Sequence, residues 1–344
     1  MHSQLPIDFR QTIVAQHPER LSQIRYLLAD SGLGLDNDIT LFIEAWSGSQ
    51  LVGCAGLAAN VIKCVAVDEK LRGANLSARL LAEVENAALA RGHFHLFLCT
   101  RPCNKEHFAR SGFWPIAQSG NNAVLLENTP QGIERYCRSL QRSRRCGETI
   151  GAIVMNANPF TLGHRHLVEQ AAKQCDWLHL FVVREDASFF PFSARLEMVR
   201  AGVAHLPNVS VHEGSQYIIS RATFPAYFLK ESGKVQQAWS EIDVLIFRDF
   251  IAPALGITHR FIGSEPFCDI TRQYNQTLHQ LLAPAIEVVE MPRIKVTGNA
   301  ISASEVRRLL KTQQFSRIRE IVPESTFAHL KAHYVKDHAR AEVA

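Results

Sequence analysis

Thr161, Gly163 and His164 carry the first chemical signal in this chain. They stand in N-P-F-T-L-G-H-R-H-L, 158–167, directly after G-A-I-V-M-N, which reads as a short buried strand. A strand that turns into a helix here leaves the first N–H groups of the helix unpaired, with the positive end of the helix dipole behind them. That is a cradle for an anion. Gly163 lets a phosphate come close to the backbone, while the Thr161 hydroxyl and the His164 imidazole project toward the same point. An imidazole there can donate a hydrogen bond to the bridging oxygen as charge builds on a leaving pyrophosphate. Taken alone, the stretch reads equally well as a turn shaped by Pro159 and Gly163, with His164 as a structural residue.

A second stretch, V-T-G-N-A-I-S-A-S-E-V-R-R-L-L at 296–310, offers matching chemistry. Ser302 followed by Glu305 fits a capping box, so a helix starts here with another set of unpaired N–H groups. Ser304 and Arg307 share one face of its first turn, where hydroxyl and guanidinium can hold the outer phosphates of a nucleotide. By itself this too reads as a capped surface helix with an exposed arginine. His329 and His333 are spaced as i, i+4 but lack a third ligand, and the eight cysteines show no paired C-x-x-C motif, so no metal site is expected. The thiols read as reduced and mostly buried.

The elements that must position these residues follow from the rest of the chain. Its 344 residues suggest two domains, and 47% apolar with 20% charged residues is ordinary globular composition without repeats. The opening M-H-S-Q-L-P-I-D-F-R carries an acid where a signal peptide needs an apolar core, and no segment reaches about 18 apolar residues in a row, so a cytoplasmic protein without a membrane anchor is expected. The net charge of +4 has one local run, Arg135, Arg138, Arg142, Arg144 and Arg145, with Tyr136 as its single aromatic. That argues for a solvated linker helix over a nucleic-acid surface, and leaves open a docking face for an acidic protein.

Residues 1–130 read as one domain, 131–147 as a linker and 148–344 as a second domain. In the first, V-I-K-C-V-A-V is a strand, D-E-K-L-R-G-A-N a polar loop, and Leu76 to Arg91 a helix with Leu76, Leu80, Leu81, Val84 and Ala88 on its buried face. In the second, strand-like runs (G-A-I-V-M-N, L-H-L-F-V-V, D-V-L-I-F, H-R-F-I-G, E-V-V-E-M) are interleaved with helical stretches. That rhythm argues for an α/β fold with a parallel sheet and a ligand at the carboxyl ends of its strands.

The two signal stretches together resemble the T-x-G-H and I-S-x-S-x-x-R signatures of the nucleotidyltransferase superfamily, which implies a Rossmann-like fold for the second domain. The succession of 154–167, V-V-R-E-D-A-S-F-F-P-F-S-A-R, G-S-E-P-F-C-D-I-T-R-Q-Y-N, M-P-R and I-S-A-S-E-V-R resembles the motifs of the citrate lyase ligase family. The resemblance implies that ATP is a substrate with Mg2+ carried by its phosphates, and that acetate attacks the α-phosphorus to give acetyl adenylate. The thiol of the CoA-like prosthetic group on the acyl carrier subunit of citrate lyase then takes the acetyl group and releases AMP. Thr161, His164 and Arg307 are the expected catalytic residues, and Asn158, Gly163, Ser302, Ser304 and Arg195 the nucleotide-binding ones. Arg195 fits a phosphate or the acetate, and equally a helix surface. Glu265, Tyr274 and Asn275 match the family motif without an assigned chemistry.

V-A-V-D-E-K-L-R-G-A-N-L-S-A-R-L-L and H-F-A-R-S-G-F resemble the acyl-CoA-binding segment and a later motif of the GNAT acetyltransferase superfamily, over roughly residues 40 to 116. This implies a GNAT-like α/β domain in which Arg72, Gly73, Ala74 and Asn75 bind the CoA-like group. Asn75 replaces the second glycine of that pattern, and Phe108 stands where a tyrosine would protonate a leaving thiolate, which phenylalanine cannot do. His107 is a possible substitute. Three other roles stay open: a bifunctional adenylyltransferase and acetyltransferase on small molecules, a first domain that only packs, and a regulatory nucleotide-binding module.

Overall fold

The computed structural model describes residues 6–72, 75–184, 188–218, 224–225, 227–229, 231–265, 268–292, 294–296 and 299–334. The chain divides into two compact units, Met1–Arg135 with Phe224–Ile242, and Tyr136–Thr223 with Asp243–Ala344. Among the described residues no helix is long and apolar enough to cross a membrane.

The first unit contains β1 (Ile7–Ile13), α1 (Leu21–Asp30), β2 (Leu41–Ser47), β3 (Gln50–Ala58), β4 (Val61–Val67), α2 (Leu76–Leu89), β5 (Phe97–Thr100), α3 (Lys105–Ala109), β6 (Trp114–Ser119) and β7 (Ala123–Glu127). Its strands form one sheet in the order β1-β2-β3-β4-β5-β7-β6. The predicted α2 face is the buried one, with Leu76, Leu80, Leu81, Val84 and Ala88 inside. Gly53 permits the close approach of this helix, because a Cβ there would lie 2.9 Å from Leu80. β4 and β5 run parallel, but only Val61 with Phe97 and Ile62 with Leu98 are paired. Beyond them β4 bulges at Cys64, in the left-handed region at φ 54°, and the two strands part.

α4 (Gly132–Gln141), in the expected linker, spans the division at Arg135, and the second unit goes on with β8 (Ile150–Met155), α5 (Leu162–Ala172), β9 (Trp177–Val182), α6 (Phe192–Val203) and β10 (Val209–Glu213). α7 (Ser232–Ile246) belongs to the first unit as far as Ile242 and to the second from Asp243; after it and α8 (Ala252–Leu255) come β11 (His259–Gly263), α9 (Asp269–Leu282), β12 (Glu287–Met291), the two-residue β13 (Lys295–Val296) and β14 (Asn299–Ala300), then α10 (Ala303–Lys311), α11 (Phe315–Arg319) and α12 (Glu324–Tyr334). The run D-V-L-I-F is helical, as the end of α7 and the start of a π-helical turn, because a short buried helix and a buried strand share the same apolar pattern.

β8 to β12 form a parallel sheet in the order β10-β9-β8-β11-β12. The chain steps outward from β8 through β9 to β10, then returns to the other side of β8, so the order reverses between β8 and β11. Crossovers on the two sides cover opposite faces, and a crevice opens at the carboxyl ends of β8 and β11. At the amino ends of these strands, where Gly151 is opposite His259, packing is tight, since a Cβ on Gly151 would meet the Phe261 ring at 2.6 Å.

All eight cysteines are free, but only Cys54, Cys64 and Cys99 are buried, which corrects the expectation of mostly buried thiols. Burial pushes the Cys64 thiol up to about 12.

On the far edge of this sheet His179 Nδ1 and His212 Nε2 are 2.9 Å apart, with His179 wholly buried. Burial depresses both imidazoles, to about 3 for His179 and about 4 for His212. Depressed folded-state values mean that the unfolded chain takes up these protons first, so stability is full above the ordinary histidine range and is lost as pH falls from about 6.5 toward 4. Urea unfolding between pH 7.5 and 4.5 should show a midpoint that drops more steeply in the wild type than in His212→Phe.

Candidate active site

The turn after β8 is held from both ends. Phe160 is fully buried against α6, where a Cβ on Gly202 would stand 2.4 Å from its ring. Thr161 then caps α5: its hydroxyl accepts from the His164 backbone N–H, and His164 Nδ1 accepts from the Thr161 backbone N–H at 3.0 Å. The Thr161 hydroxyl also lies 2.9 Å from His164 Nδ1. Because Nδ1 is used as an acceptor, the imidazole proton belongs on Nε2. The capping box therefore sets the tautomer as well as the ring position, with a histidine where a glutamate more often closes the motif.

The second helix start is built alike. Ser302 caps α10 by accepting from the Glu305 N–H at 3.1 Å, while the Glu305 carboxylate pairs with Arg308 at 2.7 Å. Ser304 lies beside the cap, its Oγ 3.4 Å from that of Ser302. The two starts converge: a Cβ added to Gly163 would lie 3.7 Å from Ile301, and Arg307 donates to the carbonyl oxygen of Asn158. Burial lowers the Arg307 pKa, yet a guanidinium stays charged at any physiological pH.

Both starts face one cleft of about 790 Å3, whose lining includes Thr161, Gly163, His164, Ser302, Ser304 and Arg307. The N–H groups of Gly163, Ala303 and Ser304 have no acceptor inside their own helices, so they and Arg307 form an electropositive wall. Glu265, Tyr274 and Asn275 line the same cleft, and Asn275 is buried and donates to the Gly263 carbonyl at 3.1 Å, which fixes α9 against the end of β11.

Asn158 and Arg195 are placed differently from the nucleotide contacts expected of them. The Asn158 side chain accepts from the Phe190 N–H at 3.1 Å, and its carbonyl receives Arg307. Arg195 is completely buried, donating to the carbonyls of Phe190, Asn156 and Val183 and to the Asn156 side chain. Its charge is spent on joining two loops, so it braces the turn from behind. Sequence reasoning passed over two lining residues, Arg260 and Cys268. Cys268 is exposed at the start of α9, and hydrogen bonding from Thr271 lowers its thiol pKa. Nothing in the pattern H-R-F-I-G distinguishes Arg260 from an edge-strand arginine.

The first unit has a cleft of about 490 Å3 where β4 and β5 part, lined by Val65, Ala66, Arg72, Ser77, Thr100 and His107 among others. Asn75 stands at the start of α2 in the left-handed region, φ 57°, which explains why asparagine can replace a glycine there. Gly73 and Ala74 lie outside the described residues. His107 Nε2 is 2.8 Å from the Ser77 hydroxyl, while Phe108 is buried. The returning segment enters this cleft: the Tyr227 hydroxyl donates to the Cys99 carbonyl at 2.9 Å, and Arg101 donates to the Phe228 carbonyl at 3.0 Å. The strand-edge groups that β4 leaves unpaired are thus partly satisfied by Tyr227.

Residues 150–330 match the citrate lyase ligase C-terminal domain, and residues 7–113 match the GNAT acetyltransferase family. A [citrate [pro-3S]-lyase] ligase of Klebsiella pneumoniae is 48% identical over 337 residues, which cover 96% of this chain and 98% of the relative. The protein of that name from Escherichia coli K12 is 44% identical over 332 residues, 95% of this chain and 94% of its own. That of Haemophilus influenzae is 44% identical over 325 residues, 92% of this chain and 97% of its own.

The geometry around Gly163 yields a separable test. A Cβ there meets nothing closer than 3.6 Å, so Gly163→Ala fits without displacement and should stabilise α5 by roughly 0.5–1 kcal/mol. The same methyl covers the amide that faces the cleft. Calorimetric titration with pyrophosphate should therefore show binding weakened by about tenfold or more, alongside an unchanged or higher melting temperature.

Proposed function

The chain belongs to the citrate lyase ligase family, and from that premise we propose that its second unit makes an acyl adenylate from ATP and acetate. A carboxylate oxygen of acetate attacks the α-phosphorus, the bond from that phosphorus to the oxygen bridging to the β-phosphate breaks, and pyrophosphate leaves. The thiolate sulfur of the prosthetic group on the acyl carrier subunit of citrate lyase then attacks the acetyl carbon. The carbon–oxygen bond to AMP breaks, and AMP and the acetylated, active citrate lyase are released. A reaction that draws on ATP and on citrate lyase supports a cytoplasmic location.

The observation that carries this reading is the convergence of both helix starts on one cleft. Such chemistry asks little of side chains as acids or bases; it needs in-line positioning and neutralisation of charge that grows on the leaving group. The N–H groups of Gly163, Ala303 and Ser304 and the Arg307 guanidinium meet the phosphates, while the Nε2–H of His164 is the donor for the bridging oxygen. Magnesium, carried by the phosphates, supplies further charge neutralisation. Among the described residues no group of three histidine, cysteine, aspartate or glutamate side chains gathers into a cation site, and the cleft itself contributes the carboxylate of Glu265.

The first unit is assigned to the prosthetic group. In its cleft of about 490 Å3, Arg72 in the wall and Asn75 at the cap of α2 would meet the phosphate end. Phe108 cannot protonate a thiolate, and Tyr227 occupies part of the gap between β4 and β5. Both features favour holding a thiol over transferring an acetyl group from it.

Incubation with ATP, magnesium and acetate tests the reading. Acetate-dependent pyrophosphate release supports it; release that needs a phosphorylated acceptor points to a bifunctional transferase, and no release to a regulatory module. In the same assay His164→Ala should lose about 100- to 1,000-fold in kcat, the usual effect of removing one donor to a developing oxyanion. Folding should survive, since the Thr161 cap on α5 is worth only about 1 kcal/mol. A near wild-type rate would remove His164 from the mechanism.

A further inference from the structure

We propose that Arg260 binds the carboxylate of the acid substrate at the floor of the nucleotide cleft, a proposal that rests on the acyl-adenylate reading of that cleft. Arg260 lies on β11 and is 2% exposed, yet it lines the cleft. Its Nε and Nη1 atoms are buried, without a hydrogen-bond partner among the described residues. The guanidinium stacks on the Phe247 ring at 4.6 Å, which holds its plane in place. The Tyr274 hydroxyl, which donates to Asp243 at 2.6 Å, also accepts a hydrogen bond from the guanidinium, and Asp243 steadies the positive charge, while Nε and Nη1 stay open.

Burying a cation with unmet donors costs more than the about 1–3 kcal/mol of an ordinary unmet polar group, so an acceptor that arrives with a ligand is the natural complement. The parts of the two substrates can be assigned by elimination. The phosphates already face Arg307 and the amides of the two helix starts, and adenine and ribose carry no negative charge. The carboxylate of the acid is the remaining anion. Ile262, two residues further along β11 and so on the same strand face, lines the same cleft and supplies an apolar wall for a short alkyl group. A guanidinium among apolar walls selects a small monocarboxylate, because a second charged group would be left without a partner.

The test uses the full-length protein and three readouts: acetate KM from pyrophosphate release, ATP affinity by calorimetry, and thermal melting. Arg260→Met should raise the acetate KM about 100-fold, the worth of a hydrogen bond to a charged group, with ATP affinity changed by less than about threefold. Arg260→Lys keeps the charge but loses the planar donor set, and should raise the acetate KM about tenfold. It also serves as the deciding variant if the methionine protein melts early. An acetate KM within about threefold of wild type in a folded, ATP-binding variant overturns the proposal while leaving the adenylate reading intact. Wild-type protein that releases no pyrophosphate with acetate overturns both.

Discussion

Everything in the second unit depends on one contact, the hydrogen bond from the Arg307 guanidinium to the carbonyl oxygen of Asn158. It ties the turn after β8 to the first turn of α10, segments separated by 149 positions in sequence. Each helix start alone offers a small positive potential that water would screen. Brought together in one crevice, their amides and the guanidinium act on the same ligand in a medium of lower dielectric, where each is worth more. The contact also removes freedom from Arg307 before any ligand arrives, so less ordering has to be done on binding.

The sheet supplies the rigidity that this contact needs. Strand order reverses between β8 and β11, and that reversal opens the crevice in which the turn sits. Gly151, near the amino end of β8, lets the Phe261 ring pack closely against it, which anchors the two strands at the end away from the crevice. Behind the turn, Arg195 plays a role that its charge alone would not suggest. By giving its donors to Asn156, Val183 and Phe190 it fixes two loops whose backbone oxygens would otherwise need water. A charge in the sequence of a phosphate-binding fold is therefore not always aimed at the phosphate.

The sequence revealed the parts of the site that follow from local rules. The cap at Ser302, the helix faces and the βα rhythm come from spacing within a few residues, and the structure contains them; the cap at Thr161, closed by a histidine, was not read from the sequence. What spacing could not reveal is where a side chain points after the chain has crossed the sheet. Arg195 and Arg260 look alike as sequence, yet one is saturated with carbonyls and the other retains buried open donors. The run D-V-L-I-F misled for a related reason: burial on all sides erases the periodicity that separates helix from strand. The half of the capping box expected from Glu305 is also absent, since that carboxylate finds Arg308 instead.

The first unit shows the same limit at the level of whole segments. Residues 224–242 pack with 1–135, yet their composition contains no mark of this, because a returning segment is specified by what it fills. Here it fills the opening where β4 and β5 separate. A carbonyl such as that of Cys99, facing a parted neighbour, must be met by water, ligand or protein, and Tyr227 meets it. Tyr227 and Phe228 share the lining of that cleft with Arg72, Ser77, Thr100 and His107. The segment that closes part of the gap in the sheet is therefore also part of the wall that any ligand there would meet, and its side chains shape the cleft as directly as those of the strands do.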